Sequence, residues 1–205
     1  MKKWLDMVIL DITFYNLVIC LILIRYTELM KIDIHDIELV KPDPERDAPF
    51  AFDWFTSNYG EETLLLMGNS KSEIKPSTLE SETDTLRTFL ELEKLNEQIT
   101  WMIRHKNATI GAIWIELNST SEIKAPSVSI MIGNKKYRGN GIGDIVMKKV
   151  IEYIKTELKT PEIFARHLLE NTGSKNMLKS LNFVNDGEAY IDKNGLNWQN
   201  VHLIL

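Results

Sequence analysis

The sequence predicts a domain of mixed α and β structure, and three observations support this prediction. Strand-like and helix-like segments follow one another in a mixed order: strand, two helices, three strands, helix, strand, helix, two strands. Hairpin signals join two pairs of consecutive strands. A glycine-rich loop stands between an apolar strand and a long amphipathic helix.

The first half of the chain contains one strand and two or three helices. Residues 32–40 alternate apolar and polar side chains, which predicts a strand, and the proline-containing segment 41–44 ends it. Residues 47–67 are rich in aromatic residues and leucine and predict one or two helices. Residues 68–78 form a polar loop, and in residues 79–97 leucines recur at helical spacing among glutamates.

The second half alternates strands with helices and closes on a hairpin. A first hairpin is predicted around Lys106-Asn107, and the last one turns at Asn194-Gly195. The predicted elements are strands 99–105 and 109–117, strand 128–132, helix 141–158, strand 162–168, helix 174–182, and strands 183–191 and 197–205.

Composition narrows the class of protein. The 205 residues carry a net charge of −5 with 44% hydrophobic and 26% charged residues, values that are ordinary for one globular domain. An acidic chain lacks the basic face that nucleic-acid binding requires, and it mildly favours a cationic or neutral amine as substrate. The single cysteine, Cys20, provides neither a disulfide framework nor a zinc cluster, so we expect a cytoplasmic protein without a metal.

The N-terminal segment 1–29 stands apart from the predicted domain, residues 31–205. Residues 12–24 are uncharged, but a membrane-spanning helix needs about 20 apolar residues. No small-x-small cleavage site follows, as a signal peptide would require. Two alternatives stay open: the segment is a membrane anchor, which the length does not favour, or translation begins at Met30.

The run from Tyr137 to Gly143 predicts a phosphate-binding loop. Its three glycines allow close approach of backbone N–H groups, and the positive end of the following helix points at the same place. A Walker loop is excluded because Asp144 and Ile145 follow Gly143 instead of Lys-Ser/Thr. A dinucleotide fingerprint is disfavoured by the G-x-G-x-G spacing. A turn without a ligand remains the alternative.

Two motifs carry a resemblance to a known family. Arg138-x-x-Gly141-x-Gly143 resembles the Arg/Gln-x-x-Gly-x-Gly/Ala motif of the GNAT superfamily, the acetyl-CoA-dependent N-acetyltransferases. The segment from Asn171 to Phe183 resembles the family's Asn-x-x-Ser-x-x-x-Leu-x-x-x-Gly-Phe, with Asn182 in place of glycine. The resemblance implies a mostly antiparallel sheet of about six or seven strands flanked by helices.

The same resemblance implies transfer of an acetyl group from acetyl-CoA to a primary amine by direct attack. The pattern is nearest to the branch that acetylates alanine N-termini of ribosomal proteins, and small-molecule amines stay open as acceptors. Acetyl-CoA and the amine are the expected partners, and a homodimer is compatible with the sequence. The residues expected to bind the cofactor are Ile132, Gly133, Arg138, Gly139, Asn140, Gly141, Ile142, Gly143 and Asn171.

Catalytic groups are expected at two positions. Many family members use a tyrosine to protonate the thiolate, but Leu178 occupies that position here. Ser174 matches the serine of the ribosomal-protein branch, and its competing interpretation is a helix N-cap. Glu116 is the first candidate for the general base and Glu170 the second.

Other side chains are predicted to be structural. His105 and His167 are expected at strand ends in water, and Trp54, Trp101 and Trp114 in the core. A different class of function also fits the missing tyrosine and the uncertain base: a protein that binds coenzyme A and senses it without turnover. A membrane-tethered enzyme is the third alternative.

Overall fold

The structure is a computed structural model that describes residues 36–205, so segment 1–29 and residues 32–35 of the predicted first strand lie outside the described residues. The strands are β1 Ile37–Val40, β2 Gln98–His105, β3 Ala108–Glu116, β4 Ser127–Ile132, β5 Glu162–Leu168, β6 Val184–Asn185, β7 Tyr190–Ile191 and β8 Asn197–Ile204. The helices are α1 Pro44–Thr56, α2 Gly60–Leu66, α3 Leu79–Lys94, α4 Ile142–Tyr153 and α5 Thr172–Ser180.

All eight strands belong to one sheet with the order β1-β2-β3-β4-β5-β8-β6, and β7 also pairs with β8. Every pair is antiparallel except β4 with β5, which is parallel. The mixed fold with a mostly antiparallel sheet is therefore confirmed. The strand count exceeds the expected number because the predicted strand 183–191 is split into β6 and β7, with Gly187 between them at a φ of 82°.

Helix boundaries differ from the predicted ones where local chemistry decides them. α1 begins at Pro44, three residues before the predicted start, because proline fits the first helical position and the Asp43 side chain accepts hydrogen bonds from the N–H groups of Glu45 and Arg46. The predicted helix 141–158 is α-helical to Tyr153 and continues as a π-helical turn from 154 to 158.

Helices cover both faces of the sheet. On one face, Trp54 of α1 and Leu86 of α3 pack in a cluster with Met102, Ala112 and Met131 of the strands. On the other face, α4 contacts β1 and β4 through a buried stripe that contains Ile142, Val146, Met147 and Val150. Within residues 36–205, no helix combines the length and apolarity that crossing a bilayer would need.

Candidate active site

The sheet opens between its two parallel strands. β4 and β5 are paired only at Ser127 and Phe164, next to the hydrogen bond from the Phe164 N–H to the Pro126 carbonyl (2.9 Å). Beyond this point the strands are no longer paired, and a cavity of about 730 Å³ lies there. Both strands line it, together with the glycine loop and the first turns of α4 and α5.

The exposed edge of β4 presents backbone groups to this opening. Backbone N–H and C=O groups of a strand point alternately to its two sides. Because the Pro126 carbonyl faces β5, the backbone groups of Ile130 and Ile132 also point to the β5 side. Ile130 and Ile132 lie beyond the paired residue, so their N–H groups face the gap.

The glycine loop lies at one end of the cavity and has room for a ligand. Gly139 and Gly141 have φ values of 73° and 74°, and no heavy atom lies within 4 Å of the position where either would carry a Cβ. α4 begins at Ile142 without a side-chain cap, so its first N–H groups are open to the same space. The arrangement fits an anion such as a pyrophosphate.

The other two predicted glycines serve packing. A Cβ on Gly143 would lie 2.8 Å from the Met177 sulfur, so this glycine lets α4 approach α5 closely. A Cβ on Gly133 would lie 2.2 Å from the Trp54 ring. The Ile142 side chain is buried in the core, so only its backbone could contribute to ligand binding.

Arg138 is held by the protein rather than by solvent. Its Nε donates to the Ile132 carbonyl (2.8 Å), and its Nη2 donates to Thr63 Oγ1 (2.7 Å) and more weakly to the Gly133 carbonyl (3.4 Å). Burial lowers the pKa of Arg138 from its ordinary value, partly offset by Glu62 and Tyr59, and the guanidinium stays charged.

Asn140 tightens the loop from inside. Its side-chain amide donates to the Arg138 carbonyl at 3.0 Å and, more weakly, to the Lys136 carbonyl at 3.4 Å. The Asn140 side chain therefore fixes the turn, and its contribution to ligand binding would come from its backbone.

α5 brings Ser174 and Asn171 to the cavity wall. The interpretation of Ser174 as a helix N-cap is wrong, because Asn171 occupies the N-cap and its Oδ1 accepts from the Ser174 N–H (3.0 Å). The Asn171 amide also donates to the Leu66 carbonyl of α2 (3.2 Å). Ser174 is half-buried, and among the described residues its hydroxyl has no hydrogen-bond partner. Leu178 is buried in the core.

Glu116 lies on the cavity wall at the end of β3, opposite Ser127 of β4. Its Oε1 accepts from Trp114 Nε1 (3.3 Å) and its Oε2 accepts from Ser127 Oγ (3.1 Å). These two donors hold the carboxylate in a fixed direction. Trp114, predicted to be in the core, also lines the cavity.

The structure does not support the predictions for the remaining candidates. Glu170 is exposed in the turn before α5 and does not line the cavity. The expectation that both histidines lie in water is wrong: His105 is 9% exposed and packs on Tyr137, and His167 is 5% exposed with its Nδ1 on the Leu168 carbonyl (2.9 Å).

Sequence reasoning missed Arg166. It lies in the middle of β5, lines the cavity, and stacks over Trp198 at 4.4 Å. Burial alone would lower the pKa of Arg166, but hydrogen bonds to Glu122 and Tyr190 outweigh it and the pKa lies above its ordinary value. The sequence did contain one indication, a charged residue within the mostly apolar run 163–168. The strand prediction for this segment gave that residue no role.

A split parallel strand pair, an open glycine loop at the start of a helix, a carboxylate and a hydroxyl thus line one cavity, an arrangement that suits a transferase with a phosphate-bearing carrier. The sequence matches the family model described as acetyltransferase (GNAT) domain over residues 36–184. The chain therefore belongs to the GNAT family of acetyl-CoA-dependent N-acyltransferases, as its two motifs predicted.

Solved structures agree with the fold at low identity. The microcin C7 self-immunity acetyltransferase MccE, solved with acetyl-CoA and AMP, has a TM-score of 0.68 and 11% identity over 83% of this chain and 93% of that chain. The ribosomal-protein-S5-alanine acetyltransferase from Vibrio fischeri has a TM-score of 0.63 and 23% identity over 82% and 91%. The spermidine N-acetyltransferase from Vibrio cholerae, solved with CoA and spermine, gives 0.63 and 13% over 83% and 96%. A comparison with curated proteins gave no match.

Proposed function

We propose that this protein transfers the acetyl group of acetyl-CoA to a primary amine by direct attack within a ternary complex. The observation that carries the proposal is the opening between β4 and β5, whose walls include the glycine loop, Glu116 and Ser174. An elongated carrier can lie in this opening with its phosphates at one end and its reactive group near the other.

The glycine loop and α4 would hold the pyrophosphate. Open space lies beside Gly139 and Gly141, the first N–H groups of α4 carry no side-chain cap, and the positive end of α4 adds its partial charge. Arg138 would add positive potential from behind the loop while it keeps β4 and α2 in place. Asp144 in the first turn of α4 carries a negative charge, which works against phosphate binding. Its carboxylate is engaged with the protein, because it accepts a hydrogen bond from Ser180 Oγ (2.6 Å).

The edge of β4 would hold the arm and the acetyl group. The N–H groups of Ile130 and Ile132 can pair with amides of the carrier as a neighbouring strand would. Ile130 is the free position of β4 nearer to Ser127 and Glu116, so its N–H would donate to the acetyl carbonyl oxygen and stabilise the negative charge that develops there. Ile132 and Gly133, the positions expected from the sequence for this role, lie at the glycine-loop end of the strand.

Glu116 and Ser174 would move the two protons. Glu116 accepts, directly or through one water, the proton that the acceptor ammonium must lose before its nitrogen attacks the acetyl carbon. Ser174 stabilises the leaving thiolate by a hydrogen bond, or passes it a proton that solvent replaces at once, as the carbon–sulfur bond breaks, and Glu116 afterwards releases the amine proton to solvent. The products are the N-acetyl amine and the free thiol.

Thiol release from acetyl-CoA across a panel of amines tests the proposal. We include a peptide with an alanine N-terminus, because one similar structure is a ribosomal-protein-S5-alanine acetyltransferase, and spermidine, because another is a spermidine N-acetyltransferase. Release that depends on one of the amines supports the transferase. Tight binding of acetyl-CoA without release on any amine would favour the coenzyme A sensor, an alternative that Leu178 in place of tyrosine keeps open.

A further inference from the structure

We propose that Arg166 forms a carboxylate-binding subsite, so that the acceptor carries a carboxylate in addition to its amine. This inference rests on the proposed transfer to an amine and specifies the class of acceptor. It concerns the wall of the cavity that β3 and β5 form.

Arg166 and Glu116 project from the same face of the sheet. Glu116 is paired with Ser127 and Ser127 with Phe164, and Arg166 follows Phe164 by two residues. Side chains two residues apart on a strand share a face. Their backbone positions are therefore at least two strand spacings apart, at least about 10 Å across the sheet, with a further offset of two residues along β5, and both residues line the cavity.

The guanidinium of Arg166 is fixed but only partly occupied. Nη1 donates to Glu122 and to the Tyr190 hydroxyl (3.1 Å), and the ring of Trp198 supports the plane at 4.4 Å. Within residues 36–205, no hydrogen bond involves its Nε or Nη2. Arginine offers five donors in a rigid fork, so one edge of this fork remains for a ligand.

The remaining edge of the guanidinium is the candidate contact for a ligand. Arg166 lines the cavity, whereas its two partners Glu122 and Tyr190 do not, and we infer that the unbonded edge, Nε and Nη2, is the one that a ligand in the cavity would meet. A carboxylate that pairs with the other edge would make two parallel charge-assisted hydrogen bonds. Trp198 already fixes the plane, so little side-chain freedom would be lost.

Charge complementarity points to the same class of acceptor. Glu116 and Arg166, one anion and one cation, line the cavity from the same face of the sheet, whereas His167, which also lines it, follows Arg166 on β5 and projects from the opposite face. A zwitterionic acceptor would bring its ammonium to Glu116 and its carboxylate to Arg166. A plain alkyl amine would match Glu116 only and would gain nothing from the guanidinium, which is partly exposed to water.

The test compares matched pairs of acceptors by kcat/KM for thiol release. Glycine, β-alanine and 4-aminobutyrate are paired with methylamine, ethylamine and propylamine, and a peptide beginning Ala-Asp is paired with one beginning Ala-Asn. The first set reports a small-molecule carboxylate and the second a carboxylate near a protein N-terminus. We expect the carboxylated member of at least one pair to be preferred tenfold or more by the wild type.

Three variants assign the preference to this residue. Arg166→Gln should abolish the preference by raising KM for the carboxylated acceptors while the plain amines keep their kcat/KM. Arg166→Lys keeps the charge without the fork and should retain a small part of the preference. Lys124→Gln, which removes a cation that pairs with Asp186 and does not line the cavity, should change nothing.

The inference would be overturned if the wild type treated all pairs alike, or if Arg166→Gln lowered kcat/KM equally for both members of a pair, since that is the signature of a purely structural arginine. Turnover of plain amines alone would refute the subsite and keep the transferase. If no amine turns over, calorimetric titration of the same acceptors into the CoA-saturated protein decides: binding that Arg166→Gln removes supports the subsite, and no binding refutes it.

Discussion

Arg138 of the phosphate loop donates a hydrogen bond to Thr63 of α2 at 2.7 Å. Thr63 is 2% exposed, and its own hydroxyl donates to the Tyr59 carbonyl (2.9 Å). An ion pair between Lys135 and Glu62 (2.7 Å) lies one residue away on the same helix. At the other end of α2, Asn171 of α5 donates to the Leu66 carbonyl (3.2 Å). The short helix α2 is thus attached to both elements that would hold the carrier.

The first prediction concerns this attachment. Thr63→Val keeps the shape of the side chain but leaves the Arg138 Nη2 without its strong acceptor, which costs about 1–3 kcal/mol in a partly buried position. We expect the free energy of unfolding to fall by that amount and the dissociation constant for acetyl-CoA to rise. Urea denaturation and calorimetry measure the two quantities. Thr63→Ser is the matched control, because it keeps the hydroxyl. If Thr63→Val left both the free energy of unfolding and the dissociation constant unchanged, the hydrogen bond to Arg138 would contribute nothing.

Local signals predicted most of the fold. The hairpin at Lys106-Asn107, the strand 162–168 and the helix after Gly141 follow from residue type and periodicity within a short window, and all three are present. The division of residues 183–191 into two strands depends on a contact with β8, in which the Asp186 N–H donates to the Asn200 carbonyl at 2.9 Å. Such a partner cannot be identified from a local pattern.

The glycine loop was predictable from the sequence, and the side-chain cluster around Arg166 was not. The glycine loop is one continuous motif, so its residues could be named from the sequence. The acceptor end is assembled from Glu116, Ser127, Arg166 and Trp198, which are brought together only by the register of four strands. Glu116 was found as a carboxylate near the loop, but nothing local distinguishes Arg166 from a solvated strand residue.

The second prediction tests the phosphate loop. In Gly141→Ala the new Cβ enters open space and the residue keeps a φ of 74°, which is strained by about 1–2 kcal/mol for alanine. We expect a loss of stability of that size and at least about tenfold weaker binding of acetyl-CoA by calorimetry. Gly187→Ala is the matched control, since it has a φ of 82° with nothing within 4 Å and lies outside the cavity. If Gly141→Ala and Gly187→Ala lost the same affinity for acetyl-CoA, backbone strain alone would explain the effect and the phosphate loop would not be supported.

The third prediction concerns Ser174. Because Asn171 caps α5, Ser174→Ala removes no cap and should change the free energy of unfolding by less than about 0.5 kcal/mol. If the hydroxyl serves the leaving thiolate, kcat should fall by about 10²-fold while acetyl-CoA binding is retained. In contrast to Ser174→Ala, Asn171→Ala should lower the free energy of unfolding by about 1 kcal/mol, because it removes the N-cap of α5. Full kcat in Ser174→Ala would leave the serine without a catalytic role.

The fourth prediction decides between the two carboxylates suggested as general base. Glu116→Gln preserves an oxygen acceptor for Trp114 or Ser127 but cannot take a proton, so stability should change little while kcat falls by about 10²-fold or more. Glu170→Gln, exposed and away from the cavity, should leave kcat unchanged. The rate deficit of Glu116→Gln should shrink with a weakly basic amine that is already neutral at the assay pH, because less deprotonation is then needed before attack. A deficit that stays constant across amines of different basicity would indicate that Glu116 positions the acceptor and does not accept its proton.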